Sequence, residues 1–443
     1  MEDIDAEIPC RLCGVSFNVY RYRTEQEPPS SIGIGLCADP EECPDQGGCY
    51  FVQQDLPPDE QIKYTPSHVR ESNMLDTDHL LEHIAGPNCN QTIAYNGHRI
   101  SAEDMKGCNT FQCLVYKPED WQPQSDDQEF EVKGNYFLSG LGDDMPSQNT
   151  NWPGIFPARH GTVSLQVDYN DENGINADQY GMPFHPTCLE IFKRVSLYRY
   201  GFVDMQGLTL WWTRAHSSSI TAAFPREQAV KSSFKDRHWH HELGNEYLAA
   251  NPCLIPKFQS ILQACQDMDS SDSDVTLATI STTVSREDKE SSRLLKLPTE
   301  VVHNILLYLD LKDLVNLRLT SRLFLQLPNH VLYELTLRLT PWLYEAWSSL
   351  PLSFWATTTE EVMGEEWDTT SNFERGTHPD MPVNQLSRTG TNWLHLHAEI
   401  ARNRDKLSGL RNRRRIWKDC EEILNRVEKL RANGHTTEMR DAD

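Results

Sequence analysis

Apolar and polar positions follow different periods in different parts of this chain, and the change of period marks its organisation. Over residues 1–262 the apolar runs are short and punctuated by Gly, Pro, Asn and Asp, the pattern of a loop-rich α+β domain. Two patches there are more regular. Pro186–Tyr200 places Leu189, Phe192, Val195 and Leu197 at near-helical spacing, with Gly201 where a C-terminal capping glycine would stand. Residues 208–213, LTLWWT, predict a strand, while the acidic stretch 119–144 reads as a long excursion. Residues 294–337 are strongly helical instead. Pro298 suits a first helical position, and Val301, Val302, Ile305, Leu306 and Leu309 make one wide apolar face. Asp310 caps a second helix with Asp313 three residues on, Leu314, Leu317 and Leu319 continue the pattern, and Pro328 stops it. Three short helices result.

Between these regions, residues 266–292 are rich in Ser, Thr and Asp and contain no aromatic residue, so they read as a disordered acidic linker. Residues 338–443 form a mainly helical, Trp-rich C-terminal lobe, because Trp342, Trp347, Trp355, Trp367, Trp393 and Trp417 are the size of residue that builds cores. The fold class expected is α+β: a loop-rich N-terminal domain open to zinc stabilisation, a central three-helix motif and a helical lobe.

Charge and composition narrow the functions. A formal net charge of −24 opposes whole-protein affinity for nucleic acid, which needs a positive footprint. No stretch approaches the roughly 20 apolar residues of a membrane span. The acidic start Met1-Glu2-Asp3-Ile4-Asp5 does not read as a signal peptide, so a cytoplasmic or nuclear protein is expected. In a reducing compartment twelve cysteines are buried thiols or metal ligands rather than a disulfide framework, and eight of them lie at or before Cys113.

The helical motif holds more apolar surface than so small a unit can bury on itself, which directs the surplus to a partner. Leu297-Pro298-x-Glu300, Ile305-Leu306, Leu309, Leu314, Leu317-Arg318-Leu319, Ser321-Arg322 and Phe324 resemble the F-box pattern nearly position for position. The resemblance implies a three-helix unit docking on the Skp-type adaptor of a cullin–RING ubiquitin ligase, with Leu297, Pro298, Ile305, Leu309, Leu314 and Phe324 as adaptor contacts. Thr320 departs from the family, which often has an apolar residue there. The arrangement also resembles filamentous-fungal F-box proteins with a long cysteine-containing N-terminal region. It implies a substrate receptor for an unknown protein target; the alternatives are an adaptor-binding scaffold outside ubiquitination or a zinc-dependent protein-interaction module.

Metal chemistry is the other candidate. Cys10-x-x-Cys13-Gly14 is a knuckle-like half-site, and His185-x-x-Cys188 at the start of the predicted helix is the best second half. Together they would make a Cys3His zinc site of treble-clef type; free buried thiols are the alternative. Cys37, Cys43, Cys49, Cys89, Cys108 and Cys113, with His79, His83 and His98, could build a second site, but their spacings single out no quartet. His238-Trp239-His240-His241-Glu242 lacks the second histidine four residues on that a metalloprotease needs, so these histidines read as polar surface. Neither a phosphate-binding GxxxxGK[ST] loop nor a GxSxG elbow occurs, so the reading is non-enzymatic. Residues 402–431 carry eleven Lys/Arg against five Asp/Glu and predict an amphipathic helix with a basic solvent face, packed on the C-terminal lobe or a partner.

Overall fold

The computed structural model describes residues 7–28, 43, 45–53, 57, 60–72, 81–143, 155–157, 159–160, 181–215, 224–266, 297–309, 311–320, 327, 329–363 and 378–435. The linker expected at 266–292 lies outside them save Gln266, as do Cys37, His79 and Phe324. The fold is α+β. Its strands are β1 (Arg21–Tyr22), β2 (Tyr50–Gln53), β3 (Leu81–Ile84), β4 (Tyr95–Asn96), β5 (Phe111–Tyr116), β6 (Tyr136–Gly142), β7 (Met182–Phe184), β8 (Phe234–Lys235) and β9 (His238–Trp239). Helices in the first half are α1 (Pro66–Ser72), α2 (Glu129–Lys133), α3 (Pro186–Tyr200), α4 (Met205–Ala215), α5 (Gln228–Ser233) and α6 (Pro256–Gln266). In the second half come α7 (Thr299–Tyr308), α8 (Leu311–Thr320), α9 (Asn329–Leu339), α10 (Phe354–Thr357), α11 (Trp393–Arg402) and α12 (Ser408–Ala432).

Two compact units form, and neither is continuous in sequence. The first joins Met1–Ile255 to Leu352–Met381 and Ser408–Asp443; the second joins Pro256–Pro351 to Pro382–Leu407. The tryptophan-rich tail is therefore shared between them: Trp355 and Trp417 are buried in the first unit and Trp393 in the second.

The first unit is built on a three-stranded antiparallel sheet of order β6–β5–β7. Central β5, FQCLVY, is buried on both faces over five of its six residues, so it reads as an unbroken apolar run rather than an alternation. β7 feeds directly into α3, which has Pro186 in its first turn and ends at Gly201 with φ 77°, a left-handed cap that glycine adopts without strain. Residues 208–213 lie inside helix α4, not in a strand. Asp204 starts that helix, its Oδ1 accepting from Gly207 N at 2.9 Å. Leu208, Leu210, Trp211 and Trp212 are all buried, and a helix buried all round loses the periodicity that distinguishes it from a strand.

The stretch 119–144 is likewise integrated. Arg159 pairs with Asp127 at 2.7 Å and Glu131 at 3.1 Å, all three side chains buried, and residues 136–142 are sheet strand β6. Helix α12 closes the unit, packing on α3 and α4 through Ile416, Trp417, Cys420, Ile423, Leu424 and Val427. It completes the core of the first unit instead of belonging to a separate C-terminal lobe.

The second unit is helical. α9 packs on both α7 and α11, and α6 on α11. Asn392 caps α11, accepting from His395 N at 2.9 Å, while its own N–H donates to Cys265 O of α6 at 3.0 Å. Among the described residues no helix is long and apolar enough to cross a membrane.

Candidate functional site

Helix α7 divides its apolar residues between two faces. Val302 and Leu306 are buried against the rest of the helical unit, whereas Leu297 at 41%, Val301 at 41%, Ile305 at 37% and Tyr308 at 86% exposure face solvent. Val301, Ile305 and Tyr308 recur at steps of four and three, so they form one stripe along the helix. Leu319 of α8 adds a further exposed leucine. Pro298 stands one position before the helix as its N-cap, its carbonyl accepting from Val301 N at 3.0 Å and Val302 N at 3.1 Å. Of the six contacts expected from sequence, Leu297, Pro298 and Ile305 are exposed and Leu309 is half-buried. Leu314, also expected as a contact, is buried within this unit. Val301, Tyr308 and Leu319 are exposed apolar residues not among those six contacts.

The structure also brings Cys10, Cys13, His185 and Cys188 together. Their ligand atoms all lie within 4.8 Å of one another, and all four residues are buried. The Cys10–Val15 turn supplies the first two thiols. Gly14, at φ 74°, donates its N–H to Cys10 O at 2.8 Å, and Val15 N points at Cys13 Sγ at 3.5 Å. A side chain at Gly14 would combine a strained left-handed backbone with contacts of 3.0 Å to Arg226 and 3.1 Å to Val230. The other pair comes from the β7–α3 junction, where Cys188 N donates to His185 O at 2.8 Å. His185 Nε2 lies 2.8 Å from Cys108 O and acts as donor there, which leaves Nδ1 facing Cys13 Sγ at 3.5 Å and Cys188 Sγ at 3.8 Å.

Arginines from distant segments hold this turn. Arg226 donates to the carbonyls of Leu12 and Arg11, and Arg415 of α12 donates to Cys13 O at 2.7 Å. Asp419 joins the two arginines at 2.8 and 3.1 Å. The arginine run of α12 is thus not a wholly basic solvent face, since Arg413 and Arg415 are buried.

Ionisation in the cluster is strongly shaped by its members. Burial opposes the Cys13 thiolate, yet hydrogen bonds from Cys10 and Cys188 and the neighbouring His185 hold it well below the ordinary thiol range. Burial pushes Cys188 well above that range. Burial also works against the His185 cation, but the Cys10 and Cys13 sulfurs outweigh it and raise the imidazole to about 10. Three sulfurs and a correctly oriented imidazole suit a tetrahedral Zn2+, which would take the thiols as thiolates and release their protons.

A second quartet is formed by Cys43, Cys49, His83 and Cys89, again buried and again within 4.8 Å of one another. The sequence did hold a signal for it: Cys43 to Cys49 and His83 to Cys89 have the same six-residue step. Cys108 and Cys113 belong to neither quartet. The histidine run 238–241 is partly interior. His241 is buried, its Nε2 accepting from Tyr20 N at 2.9 Å while Nδ1 donates to Thr92 O at 3.0 Å, a structural role rather than polar surface.

Comparison with known proteins fits this division. Residues 294–336 match the family model of the F-box domain. The mitochondrial ATP-dependent RNA helicase mss116 of Aspergillus oryzae (strain ATCC 42149 / RIB 40) is 44% identical over 55 residues, which are 12% of this chain and 8% of the helicase. The chain thus spans about 8% of that relative's length, too little to bring its activity across. No solved structure matches. Helix α7, helix α8 and most of α9 thus fall within the F-box match. The chain is an F-box protein, its domain at residues 294–336 of the kind that binds Skp-type adaptors.

Proposed function

We propose that this F-box protein is the substrate-receptor subunit of a Skp–cullin–F-box ubiquitin ligase, acting in the cytoplasm or nucleus. The adaptor takes the exposed stripe of α7 and the end of α8. The α+β unit, stabilised by zinc at Cys10, Cys13, His185 and Cys188, recruits the protein target. The observation that carries the reading is the coincidence of the F-box match with the solvent-facing residues Leu297, Val301, Ile305, Tyr308 and Leu319. Each such side chain buried in a partner contributes about 1.5–3 kcal/mol before association costs. Four or five of them make a stable interface without altering the interior of the helical unit. The chain's role is then proximity: it raises the effective concentration of target near the ubiquitin-transfer machinery.

The test is co-purification from cells. Ile305→Asp places a charge in the stripe while leaving buried Val302 and Leu306 untouched. The expected result is a loss of adaptor and cullin recovery of at least tenfold with an unchanged melting temperature. Undiminished adaptor recovery overturns the docking surface. Adaptor recovered from wild type without any cullin favours the scaffold alternative.

A further inference from the structure

We infer that Cys43, Cys49, His83 and Cys89 hold a second, independent Zn2+, which organises the antiparallel β2–β3 pair of the first unit and exchanges more readily than an ion at the Cys10 cluster. The geometry is that of a tetrahedral edge. Zn–S near 2.3 Å and Zn–N near 2.0 Å place ligand atoms about 3.5–3.8 Å apart, and Cys43 Sγ lies 3.6 Å from His83 Nε2. The two quartets share no residue, so each is a separate site and neither is half of a thiolate-bridged pair. A disulfide would use two of the three thiols and leave a buried imidazole facing the third without purpose; all of these cysteines are free.

The surrounding chain is shaped to present these ligands. Cys43 and Cys49 flank the short turn Asp45–Gly47, and the Gly86–Cys89 turn closes with Cys89 N donating to Gly86 O at 3.1 Å. The turns meet backbone to backbone: a Cβ on Gly86 would come 2.1 Å from Gly47 O and 2.4 Å from Gly48 C. That approach brings Gly86 N to 3.4 Å from Cys49 Sγ, where the amide donates to the sulfur. Asn96 braces the same turn, donating to Gly86 O at 2.8 Å and Cys89 O at 3.2 Å. The His83 ring is gripped between Tyr22, edge-on at 4.3 Å, and Phe51, stacked at 5.0 Å.

Packing alone gives this part of the unit little stability. Its local core consists of Tyr22, Phe51, Val69, Leu81, Ala85 and Ala94 around the three thiols themselves. Small cores of this kind commonly need a metal or a cross-link. An ion at the centre would join the turn before β2 to the turn after β3, fixing the end of the antiparallel pair where Tyr50 faces Ile84.

The difference in lability follows from the outer partners. His185 has its second nitrogen on Cys108 O, and two arginines hold three carbonyls of the Cys10 turn. Carbonyls at the second site are held as well, by Arg70 at Cys43 O and by Asn96 at Gly86 O and Cys89 O. His83 Nδ1, however, is buried and meets no hydrogen-bond partner among the described residues, so its imidazole lacks the outer partner that His185 has. Partners of this type alter metal affinity by roughly 10–100-fold.

Metal content of the full chain decides the matter. Elemental analysis and native mass spectrometry of wild type should give two zinc ions per chain, and Cys49→Ser with Cys89→Ser should give one. Competition with a chelator should release wild-type zinc in two steps, with the ion retained by the Cys49/Cys89 variant leaving last. Should that variant fold poorly, Co2+ titration of metal-stripped wild type replaces it, and thiolate-to-cobalt absorption should saturate at two equivalents. One equivalent in wild type, or two ions retained by the double variant, overturns the second site while leaving the first standing. Zero equivalents overturns both, and release in one step overturns the ranking. None of these readouts depends on adaptor binding.

Discussion

Single residues show most clearly how the tertiary structure re-assigns what a sequence displays. Arg413 and Arg415 sit in a run that reads as a basic face, yet Arg413 donates to Pro252 O at 2.6 Å and Arg415 to Cys13 O at 2.7 Å. Guanidinium groups have several donors in a fixed plane, which suits them to satisfy backbone carbonyls in a buried turn. His241 was similarly misread as surface. With one ring nitrogen accepting from Tyr20 N and the other donating to Thr92 O, only the neutral ring fits. Burial accordingly lowers its pKa from 6.5 to about 3. The unfolded chain therefore takes up a proton that the folded chain does not. The stability involved is complete above pH 6.5 and is lost as pH falls toward about 3. We expect the urea midpoint of wild type to drop more steeply between pH 7 and pH 5 than that of His241→Gln; parallel curves would contradict the buried neutral ring.

At the scale of elements, local pattern was a reliable guide wherever the signal was local. Helices α7 and α8 were legible from apolar spacing and from Pro298, because a short amphipathic helix writes its period into ten residues, whereas α9 begins at Asn329, just past the proline read as the stop. Helix α3 was legible for the same reason, with Pro186 and Gly201 as its punctuation. Helix α4 was not, since a six-residue apolar run fits a buried strand as well as a buried helix, and Asp204 was the overlooked start signal. Within α7 the sequence shows one wide apolar face, and only packing divides it into Val302 and Leu306 inside and Val301, Ile305 and Tyr308 outside. The two halves should respond differently. Leu306→Ala should cost the helical unit about 2–5 kcal/mol by opening a cavity, seen as faster amide exchange throughout α7 and α9. Unchanged protection there would show that Leu306 is not part of the core.

For the whole molecule the decisive feature is that the first unit takes its last helix from the far end of the chain. Residues 408–432 return to pack on α3 and α4 and to hold the Cys10 turn. A fragment of residues 1–262, the natural choice from a linear division, would expose the apolar surface that Trp417, Ile423, Leu424 and Val427 cover. We expect it to bind hydrophobic dye, aggregate and lose zinc, whereas the full chain stays monodisperse; a folded, zinc-loaded fragment would refute the closure by α12. The sequence by itself determined the F-box, the α+β class and the pairing of Cys10-x-x-Cys13 with His185-x-x-Cys188 as candidates, because each is carried by short-range spacing or by residue chemistry. Only the tertiary structure decided the second quartet, the interior arginines, the burial of Leu314 and the shared tryptophans. Those depend on which segments far apart in the chain meet, and the physical reason is that burial, unlike periodicity, is a property of the neighbours a residue acquires on folding.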